Sequence, residues 1–199
     1  MRSDPSETDW ILHAVSGHQE TVQRFVREQA GALAETARWV VSALEEGGTL
    51  IFFGNGGSAA DAQHLAAELV NRFRIKRRAL RALALTTDTS ILTSVANDDA
   101  YRKVFARQIE ALGRNGDVAV GISTSGRSPS LIEGLRAARE SGLSTLGILG
   151  RDGGPARALC DRALVVEGSD TARIQETHLL IGHLLCEWIE RSFTEARRS

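Results

Sequence analysis

The chain has 199 residues, of which 42% are hydrophobic, and a formal net charge of −1. That is enough for one α/β domain with a buried core, and it excludes a disordered chain. The near-neutral charge offers no bulk attraction for nucleic acid, and no apolar run is long enough to cross a bilayer.

Residues 1–9 are polar and acidic, and no apolar signal core follows them, so secretion is not expected. Cys160 and Cys186 lack metal or redox spacing and read as reduced thiols of a cytoplasmic protein. Residues 9–30 read as a helix with Trp10, Ile11, Ala14, Val22, Phe25 and Val26 as its apolar positions. A second helix is expected over residues 36–46, with Trp39, Val40, Ala43 and Leu44 inward and Gly47-Gly48 as its stop. So much apolar helix ahead of the first strand suits packing against another subunit as well as core burial.

Leu50-Ile51-Phe52-Phe53 then forms a strand that ends in the corner Gly54-Asn55-Gly56-Gly57. A helix starts at once, with Ser58 as its expected N-cap, and continues to about Phe73. A glycine-rich corner at a helix N-terminus exposes backbone N–H groups and suits an anion such as phosphate. Further along this helix His64 and Glu68 stand four residues apart, on one face.

Arg72, Arg74, Lys76, Arg77, Arg78 and Arg81 follow. No aromatic residues alternate with them as a stacking surface, so they read as helix C-terminal cations and a solvated loop rather than a nucleic-acid site. Residues 82–85 are a short strand, 91–96 a helix, and Asn97-Asp98-Asp99 breaks that helix and caps the next, 101–112. Residues 117–122 are the third strand, and the strand–corner–helix pattern then recurs in Ser123-Thr124-Ser125-Gly126-Arg127-Ser128. Ser128 as N-cap and Pro129 at the first helical position mark the start of a helix running to Ser141. Strands at 144–149 and 163–166 and a long helix at 171–195 complete the chain.

This alternation predicts an α/β fold: a doubly wound, parallel five-stranded sheet flanked by helices, in one domain spanning 1–199. Residues 1–46 would serve oligomerisation and 47–199 form the core. Ligands of such sheets bind beyond the carboxyl ends of the strands, where both corners lie.

The first corner has no lysine followed by Ser or Thr, so it is not a nucleotide P-loop. Gly54, Gly56 and Ala59 satisfy the loose dinucleotide fingerprint, but the acidic residue required about 20 positions on is missing. The hydroxyls of Ser123, Thr124, Ser125 and Ser128, with backbone N–H groups, suit a dianionic phosphate monoester without a lysine.

The set Gly54-Asn55-Gly56-Gly57-Ser58-Ala59-Ala60-Asp61-Ala62-Gln63-His64, then Glu68, resembles the signature of the bacterial phosphoheptose isomerases, which belong to the sugar isomerase (SIS) domain group. The likeness continues through residues 85–90, Ala96-Asn97-Asp98, Gly116-Asp117-Val118 and Ile122-Ser123-Thr124-Ser125-Gly126 with Ser128. It ends in Arg173-Ile174-Gln175-Glu176 with His178 and His183. Many members carry a proline near Arg78, a departure confined to a loop.

The resemblance implies conversion of sedoheptulose 7-phosphate to D-glycero-D-manno-heptose 7-phosphate, the first step towards nucleotide-activated heptose for surface glycans. It also implies a homotetramer and a zinc site formed by His64, Glu68, Gln175 and His183. Substrate contacts would fall on Asn55, Gly56, Gly57, Ser58, His64, Glu68, Asn97, Asp98, Ser123, Thr124, Ser125, Ser128 and Gln175.

Ketose–aldose conversion moves a proton between C1 and C2 through an enediol; Glu68 suits that proton and His183 the two oxygens. A tightly bound metal would make Glu68 a poorer base, so its two roles compete. Gln175 and His183 lie eight residues apart, roughly 12 Å along a helix. One ion shared between them requires inward-reaching side chains, a distorted helix or a ligand from a neighbouring subunit. The rival class is a non-catalytic tetrameric SIS adaptor that binds the replication initiator. The presence of both Glu68 and His183 favours the enzyme.

Overall fold

The structure, a computed structural model, describes residues 7–195. The first six residues of the polar start lie outside that range. Five parallel strands make one sheet in the order β2-β1-β3-β4-β5: β1 is Leu50–Gly54, β2 Ala82–Ala84, β3 Val118–Ser123, β4 Ser144–Gly150 and β5 Arg162–Val166. Helices α1 (Glu7–Glu45), α2 (Gly57–Val70) and α6 (Thr171–Glu195) cover one face, and α3 (Thr89–Asp98), α4 (Val104–Leu112) and α5 (Pro129–Glu140) the other. The doubly wound α/β expectation is met.

Side-chain alternation along the strands splits the core into two layers. Leu50, Phe52, Val118, Val120, Leu146 and Ile148 pack beneath α1, α2 and α6. Ile51, Phe53, Ala119 and Leu149 pack beneath α4 and α5. Such strands, buried on both faces, read as continuous apolar runs rather than alternating ones.

The N-terminal region departs from the two-helix expectation: α1 is a single helix of 39 residues. Gly31 does not break it, and Thr36, expected to open a second helix, instead donates its Oγ1 hydrogen to Ala32 C=O at 2.7 Å. One mid-helix glycine costs about 1 kcal/mol, which the packing of Phe25, Val40, Val41 and Leu44 into the core offsets. Trp10, Ile11, Leu12 and Val15 remain exposed on the first turns. Along edge strand β5, the Gln29 side-chain amide donates to Val165 C=O and accepts from Val165 N–H, so α1 occupies part of the sheet's open edge.

Between α3 and α4 the chain takes a 3₁₀ turn, Tyr101–Lys103, where a continuous helix was expected. Asn97 and Asp98 end α3 rather than cap α4.

Helix α6 is continuous and packs closely on α2. A Cβ on Gly182 would lie 2.5 Å from Leu65 Cδ2, and one on Gly57 would lie 2.2 Å from Gln175 Nε2. His178, also on α6, is 1% exposed, and neither ring nitrogen has a hydrogen-bond partner. Burial pushes its pKa down to about 4, opposed by the Leu149 backbone.

Because the folded state holds this imidazole neutral, the unfolded chain takes up the extra proton between roughly pH 6.5 and 4. Stability is therefore lost as pH falls through that window, by about 3 kcal/mol from this group alone. Denaturant titrations at a series of pH values should show a shallower acid-side decline in His178→Leu than in the parent.

Candidate functional site

The strand order changes direction between β1 and β3, and the corners that follow these two strands flank that switch point. Gly54 pairs with Ile122 across the strands. Only glycine fits at position 54, since a Cβ there would lie 2.7 Å from Ile122 O and 2.9 Å from Ser58 Cβ. Helix α2 begins two residues earlier than expected. Gly56, at φ 56°, is the N-cap and makes no side-chain cap, while Ser58 lies buried inside the first turn. Ala59 and Ala60 bond back to Gly56 C=O. By position, the N–H groups of Gly57 and Ser58 have no partner within the helix. Ser58 can thus offer an anion its backbone, while its side chain packs under Gly54.

Asn55 joins the two corners. Its Nδ2 donates to Ser128 Oγ (2.8 Å) and Ser130 Oγ (3.0 Å), and its Oδ1 accepts from Tyr101 Oη (2.9 Å). Ser128 is the N-cap of α5 with Pro129 at the first helical position, as expected, but its hydroxyl accepts from Asn55 rather than capping the helix. Within the second corner, Ser123 Oγ accepts from the backbone of Ser125 (3.4 Å) and Gly126 (3.0 Å). Thr124 and Ser125 are half-buried beside them. Gly126, at φ 62°, has no room for a side chain: a Cβ would fall 1.9 Å from Gly153 O. The Arg127–Asp152 ion pair (2.6 Å) holds the same turn from outside.

Beyond the corners, α2 and α6 bring the ionisable groups together. His64 Nε2 and His183 Nε2 stand 2.8 Å apart, so one ring donates and the other accepts. Glu68 Oε1 lies 3.7 Å from His64 Nε2. The His64 and Glu68 side chains are 42% and 21% exposed, within reach of a solute. Phe73 stacks on His183 at 5.2 Å between centroids. Burial, and to a lesser extent His64 and Arg74, lower the His183 pKa, while Glu68 opposes them. The lowered pKa favours the neutral ring, which has a lone pair to offer.

Gln175 engages α2 about one turn nearer the corner. Its Nε2 donates to Asp61 Oδ2 (3.4 Å), and its amide lies over Gly57. Burial raises the Asp61 pKa, while the Gln175 hydrogen bond and His64 lower it.

Of the expected metal set, the structure brings His64, His183 and Glu68 together and places Gln175 about one turn away along α2, against Asp61. Two nitrogens and a carboxylate oxygen make a donor set of borderline character, suited to a divalent ion such as zinc. Among the described residues, no group of three or more His, Cys, Asp or Glu side chains is placed to hold a metal ion as it stands.

Asn97 and Asp98 sit exposed at the end of α3, where Asn97 Nδ2 donates to Asp98 Oδ1 (2.8 Å). Tyr101, a few residues on, reaches the corner instead. Tyr101, Ser130 and Asp61 are the site residues that sequence reasoning did not assign. The one available signal was that Tyr101 is the chain's single tyrosine.

Of the basic cluster, Arg74 pairs with Glu187 (3.3 Å), Arg81 Nε donates to Thr49 Oγ1 (3.1 Å), and Arg77 is buried rather than solvated.

A family model for the SIS domain matches residues 15–150. A phosphoheptose isomerase of Roseiflexus sp. is 48% identical over 195 residues, covering 97% of this chain and 99% of that protein. One of Desulfovibrio desulfuricans is 56% identical over 183 residues, 90% of this chain and 87% of that protein. The solved phosphoheptose isomerase GmhA of Neisseria gonorrhoeae superposes with a TM-score of 0.88 at 40% identity, over 92% of this chain and 98% of that one. The chain belongs to the SIS-domain family and, within it, to the phosphoheptose isomerases. It is an aldose–ketose isomerase.

Tyr101→Phe removes the hydroxyl that orients Asn55 and leaves the ring in place. Loss of one such hydrogen bond, about 0.5–1.5 kcal/mol, should raise KM for the sugar phosphate by up to roughly tenfold in steady-state kinetics, with little change in kcat.

Proposed function

We propose that the chain interconverts sedoheptulose 7-phosphate and D-glycero-D-manno-heptose 7-phosphate, the entry to nucleotide-activated heptose for surface glycans such as lipopolysaccharide. The observation that carries this reading is the approach of His64, Glu68 and His183 from two helices, one of which starts at a corner bonded to the second corner through Asn55, a pair that suits a phosphate.

The corner N–H groups of Gly57 and Ser58, with the hydroxyls of Ser123, Thr124, Ser125 and Ser128, hold the phosphate and so fix the far end of the sugar. Asn55 sets the spacing between the two corners through its bonds to Ser128 and Ser130. Glu68 takes the proton from the carbon next to the carbonyl and returns it to the neighbouring carbon, passing through an enediol. Neutral His183 passes the accompanying proton between O1 and O2, and its depressed pKa keeps it able to accept. His64, Glu68 and His183 would hold a zinc ion, with the Gln175 carbonyl as a further oxygen donor. When bound, the ion would polarise the substrate carbonyl. Gln175, resting against Asp61 and over Gly57, stands on the side of the ionisable groups nearest the first corner.

The same reading makes the enzyme a cytoplasmic homotetramer. Exposed Trp10, Ile11, Leu12 and Val15 on α1, with Leu184 and Trp188 on α6, supply apolar surface for subunit packing. No helix among the described residues is long and apolar enough to cross a membrane.

Incubation with sedoheptulose 7-phosphate should give an aldoheptose phosphate with proton exchange from solvent, lost on chelation and restored by zinc. Glu68→Gln and His183→Gln should each lower kcat by about 10²–10⁴-fold while remaining folded by circular dichroism. Near-normal turnover in either variant refutes its assigned role.

A further inference from the structure

Two buried charges, outside the motifs and unused by the chemistry above, lie between the elements that carry Glu68 and His183. Glu190 is on α6, two turns beyond His183. Its carboxylate accepts three consecutive backbone N–H groups, those of Phe73 (2.9 Å), Arg74 (2.7 Å) and Ile75 (2.8 Å). Arg77 Nε lies 3.5 Å from Glu190 Oε1, and the two side chains are 2% and 1% exposed. The other end of the guanidinium caps α2: Nη2 donates to Glu68 C=O and Nη1 to Leu69 C=O, both at 2.8 Å. These are carbonyls that a helix leaves unpaired at its C-terminus, where a cation is also favoured by the helix dipole.

One ion pair therefore grips the backbone of Glu68 at one end. At the other it fixes the loop whose Phe73 ring stacks on His183. Stability alone does not call for charges here. The desolvation cost of a buried pair often cancels its Coulomb gain, and apolar residues of similar volume commonly serve as well. What the charges add is direction: apart from the Arg77 bond to the neighbouring Arg78 C=O, their hydrogen bonds end on backbone atoms between Glu68 and Ile75.

We propose that Arg77 and Glu190 are positioning residues for proton transfer: their buried pair sets the end of α2 that carries Glu68 and, through Phe73, the ring of His183. The inference rests on Glu68 and His183 being the reacting groups. Neither Arg77 nor Glu190 touches the phosphate corners, so their loss acts on the chemical step and spares substrate grip.

The test compares Glu190→Gln, Phe73→Leu and Glu68→Gln with the parent, measuring kcat and KM for sedoheptulose 7-phosphate alongside the thermal midpoint. Glu190→Gln turns an amide N–H towards backbone donors. Its kcat should fall roughly 10- to 100-fold with KM held within about twofold, as expected for ångström-scale misplacement of a reacting group. A folded Glu190→Gln with parental kcat overturns the proposal, as does a fall in kcat matched by an equal rise in KM. Should Glu190→Gln fail to fold, Phe73→Leu decides, because that half-buried loop residue keeps its apolar bulk and loses only the stacked ring. A drop in kcat of about threefold or more at constant KM supports the link, and an unchanged kcat overturns it. An active Glu68→Gln overturns the site assignment and the proposal together. An inactive Glu68→Gln beside a fully active Glu190→Gln overturns the proposal alone.

Discussion

The close approach of α2 and α6 is the constraint on which the site depends. Two glycines permit it, one on each helix. Gly182 leaves space for Leu65, and Gly57 leaves space for the Gln175 amide. His64 and His183, 119 residues apart in sequence, meet at 2.8 Å because of this. Glu68 joins them by virtue of the helical period alone.

The sheet supplies the second half of the site. Strands β1 and β3 are neighbours, so the helices that follow them start side by side, and the corners between strand and helix converge without any long loop. Helix-start N–H groups and small hydroxyls thus gather at the sheet's carboxyl edge. The ionisable groups come from the sides of helices a few turns away. In the proposed function the former hold the phosphate and the latter move the proton, a division that lets binding and proton transfer be altered separately.

Much of this arrangement was legible in the sequence because it is local. The apolar run 50–53, the glycine corner and the helix with His64 and Glu68 form one continuous stretch, and their periodicity specifies strand, turn and helix face. Pro129 after Ser128 marked α5 by the fixed φ of proline. The errors were also local, where weak signals compete. The first helix was expected to end at residue 30 and a second to begin at 36, although Ala32, Leu33 and Ala34 favour helix strongly enough to carry one helix through. Ser58 read as a cap because serine usually caps, whereas the positive φ of Gly56 places the helix start ahead of it. What the sequence did not reveal is long-range pairing: Tyr101 with Asn55, Gln175 with Asp61, and Glu190 with the backbone at 73–75. No spacing rule links residues so far apart, and Arg77 among five other basic residues gave no sign that it alone turns inward.

The clasp of Gln29 on Val165 bears on how the molecule behaves among its own copies. A parallel sheet ends in strands whose outward N–H and C=O groups can template a stray chain. At one margin a glutamine side chain already satisfies a residue's pair of backbone groups. At the other, β2 offers a run of merely three residues. Neither flank gives an incoming strand a ladder to extend, so any self-association is steered away from fibre-like stacking and towards the apolar helix surfaces, where it can close and stop.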